Sequence, residues 1–163
     1  MAEPSRAPDS YLVGLARKRM GAAVLFTDTG GRVLLVEPTY KDYWEVPGGA
    51  VDADESPYDA AVREVKEELG LSVSPGRLLV VGWVPPRPDR PEGVMFVFDG
   101  GRLSRTQAAG IVVPPQELAG WAWCRLPEAR ERLSGLLALR VEAALRARSD
   151  IHTAYLESGY RVA

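Results

Sequence analysis

Sorted into apolar and polar positions, the chain shows several short apolar runs and two longer stretches with a helical period. Ala22 to Phe26 and Val33 to Val36 are apolar runs separated by Asp28-Thr29-Gly30-Gly31, a turn composition that predicts a hairpin. Leu78 to Val84, Val94 to Phe98 and Gly120 to Cys124 have the length and the β-branched or aromatic content of further strands. Pro85-Pro86-Arg87-Pro88-Asp89-Arg90-Pro91 cannot continue a strand, because proline has no N–H to give to a ladder, and it predicts a stiff loop.

The first helical stretch begins at Ser56, a capping residue, with Pro57 suited to the first turn and Asp59 three residues after the cap; Gly70 supplies the stop. At roughly 100° per residue, Ala61, Val62, Val65 and Leu69, with Tyr58, form one core-facing stripe. The second stretch, from about Pro127 to Arg146, places Leu133, Leu136, Leu137, Val141 and Leu145 near helical spacing and predicts a single helix. Met1 to Pro8 reads as unstructured, and Tyr11 to Arg19 as a short helix or edge segment with a basic end. Strands followed and interrupted by two helices imply an α/β class with a mixed sheet between them.

Composition narrows the function. With 163 residues and 46% hydrophobic content the chain can bury one real core, and a net charge of −2 gives no reason to invoke a nucleic acid polymer or an anionic membrane. No long apolar span or secretory leader is evident. A single cysteine, Cys124, excludes an internal disulfide, and a single histidine, His152, excludes a histidine-cluster metal site or a Ser-His triad. The cytoplasm is the expected location.

The chemistry concentrates on the first helix. Glu64, Glu67 and Glu68, at i, i+3 and i+4, occupy an arc beside the apolar stripe, where like charges repel by roughly 0.2–0.5 kcal/mol per pair. Alone, such a string reads as a solvated acidic face. Its context changes that. Trp44-Glu45-Val46-Pro47-Gly48-Gly49 precedes it, and from Gly49 the chain runs Gly, five residues, Glu55, seven residues, Arg63-Glu64, Val65, one residue, Glu67-Glu68, one residue, Gly70-Leu71. This segment resembles the signature box of the Nudix hydrolase family with every fixed position filled. At ordinary residue usage, seven fixed letters coincide by chance roughly once in 10⁸ windows.

The resemblance implies a Nudix-type α/β/α sandwich. On that basis residues 20–148 are the Nudix domain, 1–19 an N-terminal extension, partly flexible, and 149–163 a C-terminal tail. It also implies hydrolysis of a diphosphate linkage in a small molecule, led by nucleoside diphosphate derivatives and nucleoside triphosphates. A non-nucleotide diphosphate such as a prenyl diphosphate, or a non-catalytic ligand-binding module, are the alternatives. Glu64, Glu67 and Glu68 match the family's metal ligands and, with Arg63, its catalytic group; the carbonyl of Gly48 joins the ligands. Carboxylate oxygens without Cys or His suit Mg²⁺ or Mn²⁺. Glu55 and Gly49 stand behind that layer, Glu55 bracing Arg63. One glutamate takes the proton from water: Glu64, Glu67, Glu68 or an acid outside the box, for which Glu117 and Glu92 are candidates. Relatives often place a basic residue after the second strand to meet a phosphate; here stands Glu37-Pro38, with Lys41 as a replacement. Tyr40 and Tyr43 could stack on a base, and Arg87 and Arg90 could steer a polyanion. The resemblance is compatible with a homodimer.

Overall fold

Alternate residues of the first apolar run enter different cores: Ala22, Val24 and Phe26 on one side, and Leu25, with Ala23 packed beside it, on the other. The two-residue period of a strand requires this. A computed structural model describes residues 9–162, and the expectation for Met1 to Pro8 lies outside the described residues. Helix α1 (Asp9–Val13) leads into β1 (Arg19–Thr27), β2 (Val33–Pro38), β3 (Gly48–Ala50), α2 (Pro57–Leu69), β4 (Leu78–Val84) and β5 (Gly93–Arg102). Then come α3 (Arg105–Ala109), β6 (Leu118–Cys124), α4 (Leu126–Arg132), α5 (Gly135–Ser149), β7 (Ala154–Glu157) and β8 (Tyr160–Arg161).

Among the described residues the strands form one sheet in the order β6-β2-β1-β5-β4-β7-β8, with β3 beside β1. β1 runs parallel to β5 and β4 parallel to β7, while the other pairs are antiparallel. The sheet is therefore mixed. α2 buries Ala60, Ala61, Val65 and Leu69 against one face, and α4 and α5 cover the other. That is the expected α/β/α sandwich. On α5 the buried positions Ala138, Ala143, Ala144 and Ala147 are small, which lets the helix lie close to the sheet.

Three local expectations need correction. The Asp28 turn forms, with Asp28 Oδ1 accepting from the N–H groups of Gly30 and Arg32 at 2.9 and 2.8 Å, but β1 and β2 pair only at Thr27 and Val33. The strands part because residues 45–50 wedge between them: Glu45 exchanges hydrogen bonds with Val36, and the Val24 N–H donates to Pro47 O at 2.9 Å. The helix expected over 127–146 is two. Leu133 is extended (φ −81°, ψ 153°) and buried, the Trp44 N–H donates to Arg132 O at 2.9 Å, and Ser134 caps α5 by accepting from the Leu137 N–H. Residues after Ser149, set apart above as a tail, add two strands, with Ala154 and Leu156 buried against β4.

Candidate functional site

The wedge between β1 and β2 puts two glycines where no side chain fits. Gly48 has φ +150°, a region that favours glycine, and a Cβ there would strike the backbone of Ala22 and Ala23. A Cβ on Gly49 would lie 2.5 Å from Cδ and 2.7 Å from Oε2 of Glu64. The missing Cβ atoms let α2 set its acids directly against β3.

α2 forms as its ends direct. The Ser56 Oγ accepts from the Asp59 N–H at 3.1 Å and donates to the Asp59 carboxylate at 2.7 Å, Pro57 occupies the first turn, and Gly70 closes the helix at φ +68°. The three box acids then differ in surroundings. Glu67 is largely exposed, Glu64 half-buried and Glu68 buried at 9% exposure. Glu68 Oε2 accepts from the Gly48 N–H at 2.8 Å. Burial raises the Glu68 carboxyl to about 8 against that hydrogen bond, with Glu64, Glu45 and Glu117 adding repulsion. Burial also raises Glu64, Arg63 opposes it, and Glu67 and Glu117 reinforce it.

Arg63 organises the opposite side. Its Nε and Nη2 donate to the two oxygens of Glu55 at 2.8 and 2.9 Å, its Nη2 also reaches Ala50 O at 3.0 Å, and its Nη1 donates to Glu64 at 2.8 Å and Glu67 at 3.1 Å. Paired with Arg63, and accepting from the Asp52 N–H, Glu55 sits at about 2, well below the usual carboxylate range. Among the described residues no three Asp, Glu, His or Cys side chains already stand as a finished metal cage. Arg63 holds one oxygen each of Glu64 and Glu67. Even so, the donor set fits a hard cation: every donor is oxygen, and a buried carboxylate has only one N–H against three acidic neighbours.

Beside β3 a cleft of about 500 Å³ opens between the sheet and the start of α5, a volume typical of small-molecule sites. Gly48, Gly49, Tyr43, Glu45, Arg87 and Arg90 are among its walls, so three of the five residues expected to touch substrate face one space. Tyr40 and Lys41 do not line it. Tyr40 is 71% exposed, while Lys41 pairs with Glu45 and lies 4.9 and 5.1 Å from the Tyr40 and Tyr43 ring centres. Of the acids outside the box, Glu117 acts on both Glu64 and Glu68, whereas Glu92 accepts from Trp83 Nε1 at 2.8 Å and pairs with Lys18. The basic string Arg17-Lys18-Arg19 carries the same steering signal as Arg87 and Arg90, and of its members Arg19 lines the cleft. Sequence reading missed Glu45 and Arg140, the latter having no signal beyond being a charge on the apolar face of a helix.

Among curated proteins, the mouse (Mus musculus) diphosphoinositol polyphosphate phosphohydrolase 3-alpha is 44% identical over 66 residues. That alignment covers 40% of each chain, so the chain spans well under half the length of the curated relatives it matches. Among solved structures, a MutT protein from Methanosarcina mazei Go1 superposes with a TM-score of 0.64 at 23% identity, over 85% of this chain and 99% of its own. A UDP-X diphosphatase does so with a TM-score of 0.69 at 21% identity, over 92% and 76%. These likenesses establish the fold. The NUDIX domain family model matches residues 17–143, which include β3, α2 and the whole box, and the chain therefore belongs to the Nudix family.

Proposed function

We propose that this protein is a hydrolase of phosphoric anhydride bonds in small-molecule diphosphates, dependent on Mg²⁺ or Mn²⁺. One observation carries the reading: Glu68, buried, held against the Gly48 N–H and repelled by Glu64, Glu45 and Glu117, is pushed up to about 8, and a bound cation would offset that repulsion and favour its charged form. Family membership supports it, since Nudix hydrolases generally use divalent metals. Glu64, Glu67, Glu68 and the carbonyl of Gly48 would hold the ion. When bound, the ion supplies an acidified water and neutralises charge on the phosphate oxygens.

The remaining work falls to the chain's own groups. Glu55 fixes Arg63 through two parallel hydrogen bonds, and Arg63 in turn holds Glu64 and Glu67 at defined rotamers. The Gly48 N–H occupies Glu68 Oε2, so a proton accepted by Glu68 sits on Oε1. Glu64, Glu67 and Glu68 are the candidate proton acceptors in the box, and Glu117, whose charge acts on Glu64 and Glu68, is the candidate outside it. Tyr43, Arg87 and Arg90 line the cleft where the rest of the substrate would lie. Nucleoside diphosphate derivatives and nucleoside triphosphates lead as substrates, with a non-nucleotide diphosphate second. With one cysteine and no disulfide to maintain, the cytoplasm is the proposed location; among the described residues no helix is long and apolar enough to cross a membrane.

The test is phosphate release from a diphosphate library with Mg²⁺ or Mn²⁺, on wild type, Glu67→Gln and Glu68→Gln. Each variant is expected to keep the fold and lose at least about 10²-fold in turnover, because a ligand charge goes while the shape stays. Near wild-type rates in either variant would overturn the assignment.

A further inference from the structure

Arg140 is the most unusual charge in the molecule. It lies on α5, 9% exposed, and lines the cleft, yet no hydrogen bond or ion pair joins its guanidinium to another described residue. Its stem passes over β4 at Gly82, where a Cβ would sit 3.6 Å from Arg140 Nε. Burial, aggravated by the charge on Arg19, lowers Arg140 to about 10, and Glu45 only partly offsets this. Glu45 is itself engaged by Lys41. No guanidinium nitrogen of Arg140 is sealed from solvent without a partner, so its donors open into the cleft, where a ligand with paired acceptor oxygens could take them.

Apart from Glu45, the charges that line the cleft share its sign. Arg19 lines the same cleft, its Nε donating to Pro91 O at 2.9 Å and its stem filling the space that a side chain at Gly93 would take. Burial lowers Arg19 too, and Arg90 and Arg87 add to the effect against Asp89. Arg87 and Arg90 are held side by side at the rim, each backbone N–H donating to the other's carbonyl at 2.8 and 3.1 Å. Four arginines thus line one cleft together with Gly48 and Gly49, against which Glu68 and Glu64 stand. None of the box acids lines this cleft, so the arginines and the box acids are placed for separate tasks.

We propose that Arg140 and Arg19, with Arg87 and Arg90 at the rim, recognise a phosphate group that the substrate carries beyond the diphosphate being cleaved. This rests on the hydrolase reading, which assigns the cleft to substrate. A phosphate has the oxygen geometry to take a guanidinium's paired donors, and a buried, preplaced arginine loses little freedom in meeting it. The preferred substrates are diphosphates whose other half is itself phosphorylated.

Inorganic phosphate is the probe. In metal-free buffer at constant ionic strength set with chloride, wild-type melting temperature should rise saturably with phosphate, and Arg140→Met should show no rise. Without phosphate, Arg140→Met should melt no lower than wild type, since an uncompensated buried charge is gone; a merely structural arginine would give the opposite. Should Arg140→Met fail to fold, Arg140→Lys decides: it keeps the charge but not the paired donors, and should bind phosphate at least about tenfold more weakly. No saturable rise in wild type, or an equal one in the variant, would overturn the proposal. In turnover, phosphate should raise KM without lowering kcat in wild type and lose that effect in Arg140→Met. Inhibition that lowers kcat alone would mark a free-phosphate effector site and overturn the substrate assignment. Absence of any turnover would sink the hydrolase reading while the melts still decide whether Arg140 binds phosphate.

Discussion

The two adjacent glycines of β3 should fail in different ways when each is given a single methyl group. At Gly48 the new Cβ would meet the Ala22 carbonyl and the Ala23 Cα, both backbone of the central strand, at φ +150°. Holding a non-glycine residue in such a conformation costs about 1–3 kcal/mol, and overpacking typically adds about 1–3 kcal/mol. Gly48→Ala should therefore lose roughly 2–6 kcal/mol, a large part of the ~5–15 kcal/mol that stabilises a domain. At Gly49 the three atoms nearest the new Cβ all belong to the Glu64 carboxylate, the far end of a flexible side chain. Gly49→Ala should keep its stability to within about 1 kcal/mol. Its cost should fall on function, because Glu64 must leave the position that Arg63 and β3 define. A misplacement near 1 Å can cost about 10²-fold in rate. Urea denaturation and phosphate release, measured on both variants, separate the two effects. Equal stability losses in Gly48→Ala and Gly49→Ala, or near wild-type turnover in Gly49→Ala, would refute the reasoning.

Burial lifts the folded Glu68 carboxyl from 4.5 to about 8, so its contribution to stability is complete below about pH 4.5 and is lost as pH rises toward 8; at about 1.4 kcal/mol per unit the loss is at most roughly 5 kcal/mol. Urea midpoints in EDTA should fall over that window in wild type and much less in Glu68→Gln, and parallel profiles would contradict the burial argument. Divalent metal should raise the melting temperature most at the alkaline end, where it meets the charged carboxylate, and the rise should shrink in Glu68→Gln. Because Glu55 reaches the box acids through Arg63, Glu55→Gln should cost about tenfold in kcat, less than Glu67→Gln; equal losses in a steady-state assay would mean Glu55 touches the metal itself. Leu156→Ala should lower stability by about 2–4 kcal/mol, since Leu156 is 1% exposed beneath α5, and an unchanged urea midpoint would show the C-terminal strands to be dispensable.

Local physics in the chain was enough to place α2 and the strands that read as apolar runs. The helix carries its own cap, first-turn proline, apolar stripe and stop between Ser56 and Gly70, and Ala22 to Phe26 reads as a strand from its apolar run alone, with its division between two cores supplied by the layers on either side. The box acids were legible for the same reason, because their spacing on one helix is a local property. What the sequence could not show depends on partners distant along the chain. The break at Leu133 exists because Trp44 needs the Arg132 carbonyl, and β7 exists because β4 offers it an edge. Three acids equivalent on a helical wheel became one buried, one half-buried and one exposed only when β3 was laid against α2. Arg140 shows the limit most clearly: a lone arginine on an apolar helix face becomes an unpaired cation in a cleft only after α5, β4 and Arg19 converge, since desolvation and charge are set by neighbours in space and not by neighbours in sequence.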